Sequence, residues 1–397
     1  MKYIVSLYIL FLTHISVAQP QTKPHTFLYG GKNYLSTDLY ERVGVLSEQG
    51  ETLVPFAYSK IIETPIGLIV FKINKSDGLQ RSYSLGFYNR NFKLVLPCQF
   101  GSLLPIENGY LIAQRNTEKK FGLVDTIGQI IIPFIYDELS SPTEDLFLAK
   151  KDSKFGFINR KNHVVIDFEF DYAAPFSEGL AAASKSQQIG FISKKGHFEI
   201  PQIFSSANDF HYGYAQVFFH NLATCIDHSG KILFPTIFNS LSPAGNNQFI
   251  FEANQTIQAS FLSYLKELPI AQSIAETDAY SKLNLSEEWD MDFMEETYHF
   301  MGVIDAQGNL IGNQCFQQVI LLKSQAEKQL YAVQRQSDLE DDSTSYLFAI
   351  MNEKGEFISG FDYFDVKPED SMLLKDTKNG IEYYEIDSEG NTKRLNY

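Results

Sequence analysis

Two stretches concentrate carboxylates densely enough to suggest chemistry. One is Asp290-Met291-Asp292 with Glu295 and Glu296 close behind, and the other is Asp338-Leu339-Glu340-Asp341-Asp342. Either could hold a hard cation, but a calcium loop needs spaced oxygen ligands and a glycine at its sharp turn, and neither run has them. A solvated acidic face is the plainer reading. The first run also carries the only tryptophan, Trp289, four residues before Phe293 and among Glu287, Glu288, Asp290, Asp292, Glu295 and Glu296. An aromatic pair set in carboxylates suits recognition of a partner rather than bond-making. His163 and His197, 34 residues apart, could act as a metal-binding pair if neighbouring repeats stack. The equivalent position is elsewhere Glu51, Lys93, Gln129 or Lys231, which marks it as an exposed polar site. The chain has no Gly-x-Ser-x-Gly elbow, His-Glu-x-x-His, Cys-x-x-Cys or phosphate-binding glycine loop. Paired acids for glycoside hydrolysis cannot be picked out of 48 acidic residues. The expectation is therefore a non-enzyme with no catalytic residues, no cofactor and no metal.

The elements that position these residues are repeats. Gly122, Gly156, Gly190 and Thr224 follow one another at intervals of 34, a period in the range of stacked-repeat architectures. Let position 0 be the repeat glycine: Gly44, Gly86, Gly122, Gly156, Gly190 and Gly302, with Thr224 in one unit. Apolar residues at +1 and +2 precede a turn opener at +3 (Asp125, Asn159, Ser193, Asp227, Asp305) and a glycine at +6 (Gly50, Gly128, Gly196, Gly230, Gly308). That is turn chemistry for a tight hairpin. Alternating apolar residues at +8 and +10 then predict a half-buried strand. Proline follows at +11 (Pro55, Pro97, Pro133, Pro201, Pro235; Asp167 is the exception) and is expected to end that strand. An aromatic stands at +14: Tyr58, Phe100, Tyr136, Phe170, Phe204, Phe238 and Phe316. So regular a ring is most simply a buried plug between units, with a ligand-stacking platform as the sharper alternative. A glycine at +23 (Gly67, Gly109, Gly179, Gly213) opens a third strand. The fold class expected is all-β: tandem three-stranded antiparallel meanders of about 34 residues, sharing one core. They form an open superhelical array or a propeller-like ring, with a small helical insertion.

The segments Lys154-Phe-Gly-Phe-Ile-Asn-Arg-Lys-Asn-His-Val-Val-Ile166 and Phe170-Asp-Tyr-Ala-Ala-Pro-Phe-Ser-Glu-Gly-Leu-Ala181 resemble the bacterial WG-repeat (KWG) family. The likeness covers most of residues 40–397 and is sharpest from 115 to 240. The family's tryptophan before the glycine is replaced throughout, by Val43, Leu85, Phe121, Phe155, Ile189, Ala223 and Met301. A packing role survives that change; a role needing an indole does not. The resemblance implies an all-β binding scaffold and supplies no catalytic residues.

Residues 1–18 read as a secretory signal. Lys2 precedes an apolar stretch, Ser16-Val17-Ala18 fits a small-x-small cleavage site, and Pro20 and Pro24 follow at once. The stretch is too short for a comfortable membrane span, so the mature chain is expected to be exported, periplasmic or extracellular, without a transmembrane span. Its loss removes one Lys and no acid, taking the net charge from −15 to −16, a surface that repels nucleic acid and anionic membranes. Cys98, Cys225 and Cys315 permit one disulfide at most. A lead-in strand (19–40) is followed by six units (41–254), a helical acidic insertion (255–298) and three degenerate units, the last partial (299–397). The insertion is marked by Phe261, Leu262, Leu265 and Leu268 at helical spacing and by Pro269. The intervals Gly44–Gly86, Thr224–Gly302 and Gly302–Ala349 are 42, 78 and 47. Their excess is read as falling between the third strand of one unit and the first of the next, all on one edge. Insertions gathered on one face often mark a binding side. Two partner classes follow: a protein held by this edge, through Trp289, Asp290, Asp292, Phe293, Glu295 and Glu296, or a glycan held by exposed aromatics.

Overall fold

The computed structural model describes residues 25–29, 32–39, 42–76, 81–234, 238–254, 299–313, 315–325, 328–336, 346–368, 372–377, 380–387 and 390–395. The signal (1–18) and the insertion (255–298), including its expected helices, lie outside them. The chain divides into two units, residues 1–169 and 170–397, and each is built from the same sheet. Every described sheet is an antiparallel meander whose strands follow chain order. The lead-in is a hairpin of two strands, His25–Tyr29 and Lys32–Leu39, that joins the sheet of Arg42–Leu46 and Thr52–Tyr58.

The regular sheet is clearest in the second unit. Tyr172–Ala173, Leu180–Ser184, Ile189–Ser193 and Phe198–Phe204 pair in sequence. The strand that follows the +23 glycine thus pairs forward, Leu180 with Ser193 and Ala183 with Gly190, and not with Val164–Phe170, which closes the preceding sheet. Its hairpin with the short strand closes through a two-residue turn with both φ values positive, Glu178 at 52° and Gly179 at 86°. That is the hairpin turn whose twist matches the strands. Asn108–Gly109 and Tyr212–Gly213 repeat it, and Glu144–Asp145 and Asn246–Asn247 adopt it without glycine. Sheets merge once: Leu94–Ile106 runs on past Phe100, with Gly101 at the position of Asp137, Asp171 and Ser205, so one sheet in the first unit has seven strands.

Close approach explains the repeat glycine. A Cβ on Gly44, Gly86, Gly122, Gly156 or Gly190 would stand 2.5–2.8 Å from the +10 carbonyl oxygen of the last strand, where no side chain fits. Around that contact the register slips twice. In the first sheet Val43 faces Tyr58, Val45 faces Val54, and Leu46 faces Thr52. Leu85–Phe100, Phe121–Tyr136 and Ile189–Phe204 repeat the pairing of −1 with +14. Isolated bridges Ala223–Phe238, Met301–Phe316 and Phe348–Tyr363 keep it where the last strand is broken. Thr224 is the informative exception: buried at the glycine position, it turns its hydroxyl to donate to Phe234 O at 2.6 Å.

The +11 proline does not end the strand. Pro55, Pro97, Pro133 and Pro201 lie inside Thr52–Tyr58, Leu94–Ile106, Ile130–Tyr136 and Phe198–Phe204. They sit at the bulge opposite the glycine, where a missing N–H breaks no ladder bond.

Cores form between successive sheets. Phe191, Ile200 and Phe204 of one sheet pack with Phe210, Val217 and Ile226 of the next. Ala223, Phe234 and Phe238 likewise pack with Phe249, Phe251 and Ile304. The +14 aromatics are all buried, and several reach the following sheet: Tyr136 stacks on Phe168 at 5.8 Å and donates its hydroxyl to Asn162 Oδ1 at 2.6 Å. Phe204 meets Phe191 and Phe219 edge to face at 6.4 and 5.3 Å. Phe204→Ala leaves a ring-sized cavity between two sheets and is expected to cost about 3–5 kcal/mol in urea unfolding. A cost as small as a surface change would show that the ring is not a plug.

Candidate functional site

Trp289, Asp290, Asp292, Phe293, Glu295 and Glu296 lie outside the described residues, as does Asp338–Asp342. The strands that carry them are described. Gln248–Asn254 pairs with His299–Asp305, and Asn254 faces His299, so residues 255–298 leave and return at one hairpin end. Residues 77–80 do the same between Ser76 and Arg81, and 337–345 between Gln336 and Tyr346. All three interrupt one hairpin of the meander, the one closed in a regular sheet by Asp152 and Ser153 between Lys151 and Lys154. The third interval is a partial correction. Some of its excess lies at the other end of the sheet, where Ser324–Gln329 and Gln325–Lys328 extend the hairpin beyond Lys323–Leu330.

The turn acids are spent on structure. Asp125 Oδ1 accepts from the N–H groups of Ile127 and Gln129 at 3.0 and 2.8 Å, and Asp305 Oδ1 from Gln307 and Asn309 at 2.9 and 2.7 Å. Asn159 serves Lys161 and His163 in the same way. Asp227 is the best supported. Burial alone raises its carboxyl, but the Ser229 hydroxyl, the N–H groups of Lys231 and Ser229 and the Lys231 charge outweigh it and hold the group below the ordinary Asp value. His163 and His197 are exposed. Among the described residues no three His, Cys, Asp or Glu side chains are grouped to hold a metal ion. Burial pushes all three thiols up, Cys315 to about 12, away from the thiolate that reacts.

Sequence reasoning passed over one seam in the second unit. Glu178 Oε2 accepts from Gly213 N–H at 2.9 Å and lies 3.4 Å from His228 Nε2, while His228 stacks on Phe210 at 4.4 Å. Beside it burial raises the Asp209 carboxyl, opposed by His211, and raises the Tyr172 hydroxyl with help from Asp209. These groups tie neighbouring sheets at their turns. No nucleophile is brought to them, because Ser177 Oγ is engaged with Phe210 O at 2.6 Å.

The unit is now defined: an apolar residue before a close-packed glycine, opposite an aromatic fourteen positions on. The model of the WG containing repeat matches residues 86–116, 121–155, 155–187 and 189–222. These four segments are tandem WG repeats. No curated protein matches the chain. Among solved structures, the tricorn protease resembles it with a TM-score of 0.26 and 9% identity over 94% of this chain and 40% of that one. The AfRom2 CNH domain gives 0.28 and 8% over 74% and 93%. The extracellular domain of a putative hybrid two component system from B. thetaiotaomicron gives 0.29 and 9% over 93% and 54%. The chain thus spans well under half the length of the tricorn protease. The WG repeat is a repeat module rather than an enzyme class, and no helix among the described residues is long and apolar enough to cross a membrane.

The turn of Asp227 makes a pH-dependent prediction. The Asp227 carboxylate is depressed in the folded chain, so its contribution is full above the unfolded Asp value of about 3.9 and fades as pH falls through the folded value. Asp227→Asn keeps an acceptor for the turn, as Asn159 does, but cannot titrate. The variant is expected to be slightly less stable than the parent at neutral pH and to converge with it on acidification, read from thermal melts across pH. A gap that persists at acid pH would show that charge is not what the turn uses.

Proposed function

We propose that this chain is an exported, non-catalytic scaffold that holds a protein partner at the hairpin ends bearing residues 77–80, 255–298 and 337–345. The observation behind this is a shared position: 255–298 and 337–345 lengthen the hairpin of a WG-type meander whose strands, Gly67–Ser76 and Arg81–Asn89, are themselves extended towards 77–80. A sheet stacked on its neighbours tolerates such a lengthening, since loop closure costs only about 0.6 kcal/mol per doubling. Length retained where folding does not require it is available for recognition. Within 255–298 the contact residues are Trp289 and Phe293, which supply apolar area, and Asp290, Asp292, Glu295 and Glu296, which select a basic surface. The non-catalytic reading is supported by turn acids committed to backbone N–H groups and thiols raised by burial.

Replacing residues 255–298 with a short Gly-Ser turn should leave the melting temperature nearly unchanged while abolishing capture of the partner that the intact chain draws from the cell envelope. If the array unfolds instead, the segment is part of the core and the assignment fails. Export is the other half of the proposal, with cleavage after Ala18 leaving Gln19 as the N-terminus. Mass spectrometry of the chain from its native host checks it; an intact Met1 on cytosolic protein would sink it.

A further inference from the structure

Within residues 170–397 Gln248 is one of a few polar side chains buried in the core, with Ser184, Gln216, Thr224 and Gln329. The first residue of the strand after the tight turn is Leu146, Leu180 or Leu330, or a half-buried tyrosine, Tyr110 or Tyr214. In the sheet of 240–305 it is Gln248, 7% exposed. Its side-chain partner is Tyr331, which also bonds Gln329, and both of these are fully buried. The Tyr331 hydroxyl lies 2.7 Å from Gln248 Oε1 and 2.7 Å from Gln329 Oε1. Gln248 Nε2 donates to Glu353 O at 2.6 Å, and Gln329 Nε2 donates to Ala244 O. One hydroxyl proton between two amide oxygens leaves the trio less well satisfied than leucine would. Stability is therefore a poor reason for it. What it fixes is the placement of two turns, one following Ala244 and one containing Glu353.

Those turns meet exposed groups suited to a ligand. Asn246 and Asn247 are exposed, at φ 47° and 55°; the second takes the place that Gly179 and Gly213 fill elsewhere. Tyr214 donates its hydroxyl to Asn247 Oδ1 at 2.9 Å. Tyr212, also left-handed at φ 56°, is 50% exposed. The Tyr214 hydroxyl on Asn247 and the Gln248 amide on Glu353 O bring the turns of Tyr212, Asn246–Asn247 and Glu353 together.

We propose that Tyr212, Asn246, Asn247 and Glu353 form a binding site for a neutral oligosaccharide. An exposed tyrosine ring offers a flat apolar face to the C–H side of a pyranose. The asparagine amides donate and accept in one plane, matching vicinal hydroxyls, and the carboxylate accepts from a third. The charged groups on the adjoining turn are Glu353, Lys354 and Glu356, two acids to one base, which disfavours an acidic sugar. The site is independent of the insertion. Gln248 begins the strand that Asn254 ends, so the two lie a strand apart, about 20 Å.

The test is calorimetric titration of the full chain with neutral hexasaccharides of glucose, mannose, xylose and N-acetylglucosamine. At least one is expected to bind, and Tyr212→Ala should weaken it by about tenfold or more, as loss of a central aromatic does. Replacing residues 255–298 should leave the affinity intact. Gln248→Leu with Gln329→Leu and Tyr331→Phe should match or exceed the parent's melting temperature yet bind less tightly. If that variant does not fold, Tyr331→Phe alone makes the same comparison. The proposal is overturned if none of the four sugars binds the intact chain, or if Tyr212→Ala binds as the parent does. Undiminished affinity in a folded core variant overturns the role given to the buried trio.

Discussion

The whole array depends on one close approach, a backbone carbonyl set against a glycine. With the +10 oxygen 2.5–2.8 Å from where a Cβ would be, the last strand can cross the glycine strand and slip register beside it. The slip is what brings the −1 residue opposite the +14 aromatic and sends that ring towards the next sheet. Aromatic packing between sheets, the hydrophobic cores and the period itself all follow from it. The family's tryptophan at −1 is replaceable on the same account. In this chain the −1 position faces the +14 ring, and Val43, Leu85, Phe121 and Ile189 fill it without an indole.

Periodicity made the repeat legible because a steric demand of this kind favours glycine, with Thr224 and Ala349 the departures, and a glycine at a fixed interval is easy to see. Turn chemistry was legible for the same reason, through Asp, Asn and Gly at fixed offsets. The sheet boundary was not. In a tandem repeat, the strand led by Gly179 or Gly213 can pair backward or forward with the same local sequence, and composition does not choose between them. Forward pairing wins because only a short hairpin separates Leu180–Ser184 from Ile189–Ser193. The proline was misread through a rule about strand interiors. Thr52–Tyr58, Ile130–Tyr136 and Phe198–Phe204 are edge strands, Leu94–Ile106 is paired on both sides, and in each the register slip at the glycine leaves the +11 position outside the ladder.

The candidate sites were legible to different degrees. Residues 255–298 stand out by interval and composition, since nothing else parts two repeat glycines by so much. Their chemistry was readable; their anchoring on the shared hairpin needed strand pairing. The Gln248, Gln329 and Tyr331 trio left almost no trace. A glutamine beside a turn reads as a surface residue, and its burial becomes visible only once Leu146 and Leu180 are aligned to it by register. The seam of Glu178, Gly213 and His228 was hidden likewise, because it joins residues of different units.

Departures from the repeat are not scattered. The units matched as WG repeats hold to the pattern, whereas the stretch from Thr224 to Glu353 gathers most of the exceptions. There the glycine becomes threonine, the last strand is reduced to bridges, leucine or tyrosine becomes glutamine, a hairpin lengthens at one end, and a long connection leaves from the other. The broken strands and buried polar atoms each cost about 1–3 kcal/mol, and a longer connection costs only about 0.6 kcal/mol per doubling. A globular domain with one core would feel their sum. A stack whose cores lie between successive sheets confines each cost to its neighbours, so regular sheets on one side can carry irregular ones on the other. The regular repeats are thus the support, and the irregular ones are where the chain can be shaped for a ligand.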